Sequence, residues 1–245
     1  MIRHRTNADS QPPNRKNRFA SVVIPAYEEE ATILPIIRTA LSHPLVGEVI
    51  VVSDGSKDGT ADAARETEAI VIEFCTNRGK GSAMDAGVRR ASNETIVFLD
   101  ADTVGLTHSH LSALIVPVLS GRCDMFTLRR DRWFHLLPVV APSLVIGGER
   151  ALTKRFWKRV PANERSGFDV EIALNYYAKM LGKRTGTSFA RGLKQTIKEK
   201  KRGLLRGFVE RTAMTLSCAR SYVRLYFLEP QQSVLLATEN PREGR

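Results

Sequence analysis

The sequence predicts an α/β fold: a mostly parallel sheet flanked by helices, with a C-terminal helical extension. Three observations predict it. Short, predominantly apolar runs recur at residues 21–25, 48–53, 69–74 and 95–99, as strands buried on both faces require. Segments with helical spacing separate them, which is the βαβ alternation of a parallel sheet. Each apolar run ends abruptly in a polar cluster, and in such sheets ligands gather beyond the C-terminal strand ends.

Taken in order, residues 1–18 are polar and basic, with Pro12 and Pro13, and read as a disordered arm. A helix is expected over 32–41, where Ile33, Ile36, Ile37, Ala40 and Leu41 share one face, and others over the Ala-rich 60–67 and over 81–91. Beyond residue 102 the pattern loosens. A helix over 109–119 contains Pro117, a strand is expected over 123–128, and 129–149 is aromatic and Pro-rich loop ending in Gly147-Gly148. Further helices are expected over 168–181 and 203–228. The organisation is therefore one α/β domain over 19–190, with halves 19–105 and 106–190, a basic helical extension over 191–229, and a polar tail over 230–245.

The 245-residue chain carries 37 Lys+Arg against 26 Asp+Glu. Such an excess attracts polyanions, and it is concentrated in the arm, in 150–165 and in 191–206. No aromatic-interleaved RNA motif or helix-turn-helix accompanies it, so nucleic acid is not expected. The basic run 191–206 suits a solvated face, a phosphorylated acceptor or anionic headgroups. The helix at 203–228 serves either core packing or a membrane surface. No signal peptide and no run near the roughly 20 apolar residues of a membrane span is seen. Cys75, Cys123 and Cys218 lack metal-type spacing and read as free thiols. The expectation is a cytoplasmic protein able to sit at the inner face of the membrane; a homodimer is compatible with it.

Four polar clusters should converge at the strand ends: Pro25-Ala-Tyr27-Glu28, Ser53-Asp54-Gly55-Ser56, Asn77-Arg78-Gly79-Lys80 and Asp100-Ala-Asp102. Asp100 and Asp102, at i and i+2 on an extended segment, would point the same way. Such a carboxylate pair suits Mg²⁺ or Mn²⁺ shared with substrate phosphates. An EF-hand loop is excluded because its twelfth position is Leu111. Asp54 faces the cleft, where a carboxylate accepts hydrogen bonds from a base or ribose. The Arg78-Gly79-Lys80-Gly81 segment opens a helix whose N-terminus favours an anion. It is no Walker loop, since Phe74 and Gly81 stand where Gly and Ser/Thr are required. It is no dinucleotide fingerprint either, since Met84 stands at the third glycine. His108 and His110 read as capping or solvent-facing residues.

Ile24-Pro-Ala-Tyr-Glu-Glu29, Val51-Val-Ser-Asp-Gly-Ser56, Asp58-Gly-Thr60, Asn77-Arg-Gly-Lys-Gly81 and Phe98-Leu-Asp-Ala-Asp102, in order and spacing, resemble the family 2 glycosyltransferases with the GT-A fold. The resemblance is close over about 19–128. It implies that Pro25, Tyr27 and Glu28 line a nucleotide pocket, that Asp54 contacts the base, and that Lys80 approaches base or diphosphate, where Arg78 adds positive charge of its own to the donor side. It also implies that Asp100 and Asp102 form a DxD motif holding metal and donor. Two later segments, Gly147-Gly-Glu-Arg-Ala-Leu152 and Gly167-Phe-Asp-Val-Glu-Ile172, resemble the glucosyl-3-phosphoglycerate synthase and mannosylglycerate synthase-like branch. That implies acceptor contacts at Gly147, Gly148 and Arg150, with Glu149 and Glu171 near the reacting centre. Ser53 replaces the family's frequent Asp, and no His stands near Ser188-Phe189, where related enzymes often place a metal ligand.

The activity this implies is metal-dependent sugar transfer from a UDP- or GDP-linked donor to an acceptor that the sequence does not identify; a small phosphorylated molecule, a lipid phosphate and a polysaccharide all fit the basic second half. Asp102 would act at the donor, and Glu149 or Glu171 would serve as general base if the transfer inverts configuration. A nucleotidyltransferase and a non-catalytic nucleotide-sugar-binding protein of the same fold are the alternatives.

Overall fold

The computed structural model describes residues 19–130, 147–165, 170–195, 220 and 223–228. The readings for the N-terminal arm, most of the aromatic loop, Gly167 to Asp169, Cys218, the basic run beyond 195, most of 203–228 and the tail lie outside these residues.

The chain alternates as predicted: β1 (Ala20–Ala26), α1 (Glu30–Leu41), β2 (Val46–Ser53), α2 (Thr60–Arg65), β3 (Ile70–Glu73), α3 (Lys80–Arg90) and β4 (Thr95–Phe98). Then follow β5 (Thr103–Val104), α4 (His108–Leu119), β6 (Met125–Arg130), β7 (Arg150–Thr153), α5 (Lys154–Arg159), a 3₁₀ turn (Ala162–Arg165), α6 (Val170–Met180), β8 (Thr185–Ala190), β9 (Lys194–Gln195) and a π-helical turn (Arg224–Leu228).

One seven-stranded sheet runs β3-β2-β1-β4-β7-β6-β8. Only β7 is antiparallel to its neighbours, pairing with β4 on one side and β6 on the other. β1, β2 and β4 are the apolar runs; Val22, Val23, Ile24, Ile50, Val51, Val52, Ile96 and Val97 are fully or almost fully buried. The two faces carry separate cores. Ile33, Ile36 and Ile37 of α1 with Leu111, Leu114 and Ile115 of α4 cover one face. Met84 and Val88 of α3 with Phe156, Trp157, Tyr176 and Tyr177 cover the other. Gly87 lets α3 lie against β1, since a Cβ there would come within 2.3 Å of Val23 Cγ1.

Several elements differ from expectation. β3 is a half-buried edge strand, because among the described residues nothing pairs with it beyond β2. β7 and β8 were not expected. β7 is only four residues long and begins with Arg150, and β8 (TGTSFA) is mostly exposed at the other sheet edge, with Phe189 at 62% exposure. Pro117 is accommodated within α4, and Thr107 begins that helix with a capping box in which the His110 ring is the partner.

Candidate functional site

The loop after β1 is laced to the loop after β2. The amide of Glu28 donates to Ser56 Oγ (3.1 Å), that of Glu29 to Thr60 Oγ1 (2.8 Å) and that of Glu30 to Asp58 Oδ2 (3.3 Å). In return Gly59 donates its amide to the Glu30 carboxylate at 3.0 Å. Glu28 adopts φ 55, the one left-handed non-glycine among the described residues. Held strain of this kind clusters at functional loops. Pro25 and Tyr27, expected at the nucleotide pocket, are partly exposed on this rim.

Asp54, at 3% exposure, closes the end of β2. Its two oxygens accept the amides of Arg78 (2.7 Å) and Gly79 (2.8 Å). The carboxylate therefore shapes the turn that starts α3, a task the turn chemistry of its own loop did not suggest. Gly55, at φ 71, lets the two loops touch: a Cβ there would lie 2.5 Å from the backbone of Thr76 and Asn77. Gly79, at φ 89, is the α3 N-cap and aims Lys80 inward. Arg78 stays exposed, with its guanidinium 4.6 Å from the Phe74 ring centroid.

Lys80 joins the halves of the site. Its Nζ donates to Asp100 Oδ1 and to Glu171 Oε1, each at 2.8 Å. Burial alone would depress the ammonium's pKa, but Asp100 and Glu171 outweigh it and hold the pKa well above the usual lysine value.

The segment from Asp100 to Asp102 is a turn, closed by the Thr103 amide on the Asp100 carbonyl (3.2 Å), and not the extended stretch expected. β4 ends at Phe98, so strand alternation does not govern the two carboxylates. Asp102 is 5% exposed. Asp100 packs directly on Gly148, where a Cβ would stand 1.9 Å from Asp100 Oδ2. Gly147 is also closely placed, with a Cβ there 2.7 Å from the Leu128 carbonyl oxygen.

Glu149 and Arg150 face inward. Glu149 is fully buried and accepts a hydrogen bond from Thr103 Oγ1 at 2.6 Å. Arg150 is also fully buried; Nε and Nη2 donate to the Gly147 carbonyl (3.2 and 2.8 Å), and Nη2 lies 3.7 Å from Glu171 Oε2. Burial pulls the guanidinium's pKa down, while Glu171, Asp100 and Glu149 pull the other way. Glu171, in the first turn of α6, is 9% exposed, and its Oε2 has no hydrogen-bond partner. Arg150 and Thr103 thus brace the predicted site residues from behind. No local motif marks Thr103, and only its contact with Glu149 reveals it.

A divalent cation fits these residues. Asp100, Asp102, Glu149 and Glu171 formally outnumber the cations Lys80 and Arg150 by two charges, and the buried Glu171 Oε2 is an unmet oxygen donor. Among the described residues no three His, Cys, Asp or Glu side chains form a complete metal-binding group. Two carboxylates plus substrate phosphate oxygens are, however, a usual arrangement for Mg²⁺. His110 is occupied as a helix cap and lies 3.1 Å from the Arg191 carbonyl, and His108 lies 2.9 Å from Ser42 Oγ, consistent with structural roles.

The profile of glycosyl transferase family 2 matches residues 21–163, more than half of the chain. Undecaprenyl-phosphate 4-deoxy-4-formamido-L-arabinose transferase of Aeromonas hydrophila is 31% identical over 135 residues, 50% of this chain and 41% of that protein. Glucosyl-3-phosphoglycerate synthase of Mycobacterium tuberculosis is 34% identical over 116 residues, 44% of this chain and 36% of that protein. The matched region thus spans about two fifths of these curated relatives. The crystal structure of the mycobacterial synthase in complex with Mn²⁺, UDP-glucose and phosphoglyceric acid superposes with a TM-score of 0.70 at 24% identity, covering 84% of this chain and 79% of that one. At that identity the likeness speaks for the fold.

Proposed function

Because the chain belongs to glycosyl transferase family 2, we propose that it transfers a sugar from a UDP- or GDP-linked donor to a phosphate-bearing acceptor. The observation that carries this reading is the meeting of three strand-end loops at one cluster: Asp54 holds the start of α3, and α3 delivers Lys80 to Asp100 and Glu171. The base and ribose would lie along Pro25, Tyr27 and Glu28, with the diphosphate near the α3 N-terminus and Arg78, where amides and positive charge favour an anion.

Asp100 and Asp102 would hold Mg²⁺ or Mn²⁺, whose chemistry there is to offset charge on the departing diphosphate. The chain's own contribution is positioning in a largely buried site, where fixed charges act strongly. Glu171 is the better candidate than Glu149 for handling the acceptor's proton in an inverting transfer. Its Oε2 has no hydrogen-bond partner, whereas Glu149 is fully buried against Thr103. Gly147 and Gly148 would present backbone to the acceptor, and Arg150 would hold that backbone in place.

The phosphate on the acceptor is inferred from the basic second half, where Arg191 and Lys194 follow β8 beside the Asp100–Asp102 turn through the β5–β9 pairing. The mycobacterial synthase bound to phosphoglyceric acid and the lipid-phosphate relative both support such a group. A lipid-linked acceptor would bring the protein to a membrane surface; among the described residues no helix is long and apolar enough to cross one.

The test is a thermal-shift series with UDP and GDP, each with and without Mn²⁺, on the wild type, Asp100→Ala and Asp102→Ala. Ligand at about 100 times its Kd stabilises the fold by about 2.7 kcal/mol. The expected result is a nucleotide shift in the wild type that depends on Mn²⁺ and is lost in both variants. Metal-dependent donor turnover surviving both substitutions would end the reading.

A further inference from the structure

Lys80 occupies the cluster in a way that the donor-binding role does not explain. Its ammonium is committed to Asp100, a carboxylate assigned to the metal, and to Glu171. We propose that the Lys80 ammonium competes with a divalent cation for Asp100: it holds that carboxylate until the nucleoside diphosphate draws the ammonium away, so that metal and donor bind as a coupled pair. The inference rests on the reading of Asp100 and Asp102 as metal ligands.

Four observations support it. The 2.8 Å contact places a positive charge directly on Asp100 Oδ1, so a divalent ion binding the same carboxylate meets a like charge. Asp100 itself is not free to retreat, because Oδ2 already lies against the Gly148 Cα, where not even a methyl group fits. Lys80, by contrast, is a flexible four-carbon stem on a fixed base, since Asp54 anchors the two preceding amides. It also has somewhere to go. An ammonium has three donors, two are used here, and Glu171 retains it at Oε1 while the buried Oε2 has no hydrogen bond. Releasing Asp100 therefore leaves Lys80 paired with Glu171 and frees donors for a phosphate oxygen. Arg150, 3.7 Å from Oε2, keeps Glu171 in position during the exchange.

The experiment measures Mn²⁺ binding to the full chain by calorimetry, with and without UDP or GDP. In the wild type, Mn²⁺ alone should bind at least about tenfold more weakly than Mn²⁺ with the favoured nucleotide. Lys80→Gln removes the competing charge and should bind Mn²⁺ alone about tenfold more tightly than the wild type. Lys80→Arg keeps the charge and should resemble the wild type. Equal or weaker Mn²⁺ affinity in Lys80→Gln overturns the proposal while leaving the metal site standing. No Mn²⁺ binding to the wild type with either nucleotide overturns the site reading itself. Should Lys80→Gln fail to fold, the wild type still decides. The Lys80 Nζ resonance in ¹⁵N-labelled protein should hold its position in Mg²⁺ alone and move when nucleotide and Mg²⁺ are added together. A move in Mg²⁺ alone, or none with both, refutes the exchange.

Discussion

Gly148→Ala isolates the contact on which the donor side is built. The new Cβ would lie 1.9, 2.3 and 2.4 Å from Asp100 Oδ2, Cγ and Oδ1. Real Cβ atoms essentially never approach closer than 3.0 Å, so the carboxylate or the Gly147-Gly148 backbone must give by about 1.1 Å. The backbone is poorly placed to yield, because the Gly147 carbonyl is gripped by the buried Arg150 and a Cβ on Gly147 would already crowd the Leu128 carbonyl at 2.7 Å. The carboxylate is pushed off Gly148 instead, which disturbs its 2.8 Å contact with Lys80. Overpacking of this kind costs about 1–3 kcal/mol of stability, and a 1 Å misplacement of a catalytic group costs about 100-fold in rate. A hundredfold loss in kcat/KM corresponds to about 2.7 kcal/mol of lost transition-state stabilisation. The assay is release of nucleoside diphosphate from the donor, with chemical denaturation to establish that the variant is folded at the assay temperature. Gly147→Ala, which would clash with Leu128 and Thr127 but does not touch Asp100, serves as the comparison. A folded Gly148→Ala that retains wild-type turnover and Mn²⁺-dependent nucleotide binding would refute the assignment of Asp100.

Two further expectations concern the frame. His43, buried and facing His108, has its pKa lowered first by burial and then by that neighbouring ring. Its Nδ1 accepts the Leu45 amide and its Nε2 lies 3.0 Å from Ser112 Oγ, an arrangement for the neutral ring. This contribution to stability is complete above the unfolded value of about 6.5 and is lost as pH falls through the lower folded value. Urea midpoints should drop between pH 7.5 and pH 5, and by less in His43→Asn; equal drops would exclude the effect. Glu164, buried in the 3₁₀ turn, accepts two bonds from Arg224 (2.7 and 2.5 Å), which tie the π-helical turn to the body. Glu164→Gln should cost about 1–2 kcal/mol, since the Arg224 side chain is 36% exposed and screened. Denaturation showing no loss would remove that role.

Much of this architecture was legible because β1, β2 and β4 are apolar on both faces and can only be central parallel strands. The same reasoning placed Asp54, Lys80 and Asp100 at strand ends, where topology forces convergence. β7 was not legible. A four-residue strand beginning with arginine, running straight into α5, becomes intelligible only through its partners on both sides. Nor could the sequence show that Lys80 reaches Glu171, 91 residues away, or that Glu149 and Arg150 turn inward. Charged residues are ordinarily solvated, and these two are buried where the site supplies hydrogen-bond partners, Thr103 for Glu149 and the Gly147 carbonyl for Arg150. The Asp100–Asp102 segment misled in a different way. The strand stops two residues before Asp100, so a rule for extended chain was applied to a turn.

The reversed strand β7 has a further consequence. It runs between β4 and β6, hydrogen-bonded on both sides, and starts at Arg150, the last residue of the Gly147–Arg150 wall. The surface proposed to meet the acceptor is thus woven into the same fabric as the surface proposed to meet the donor. A chimaera spliced near residue 105, meant to graft another enzyme's acceptor preference onto this nucleotide site, would have to re-form the β4–β7 ladder at the middle of the sheet and the separate β5–β9 pair. Retargeting such a protein is better attempted at side chains around the rim than by exchange of halves.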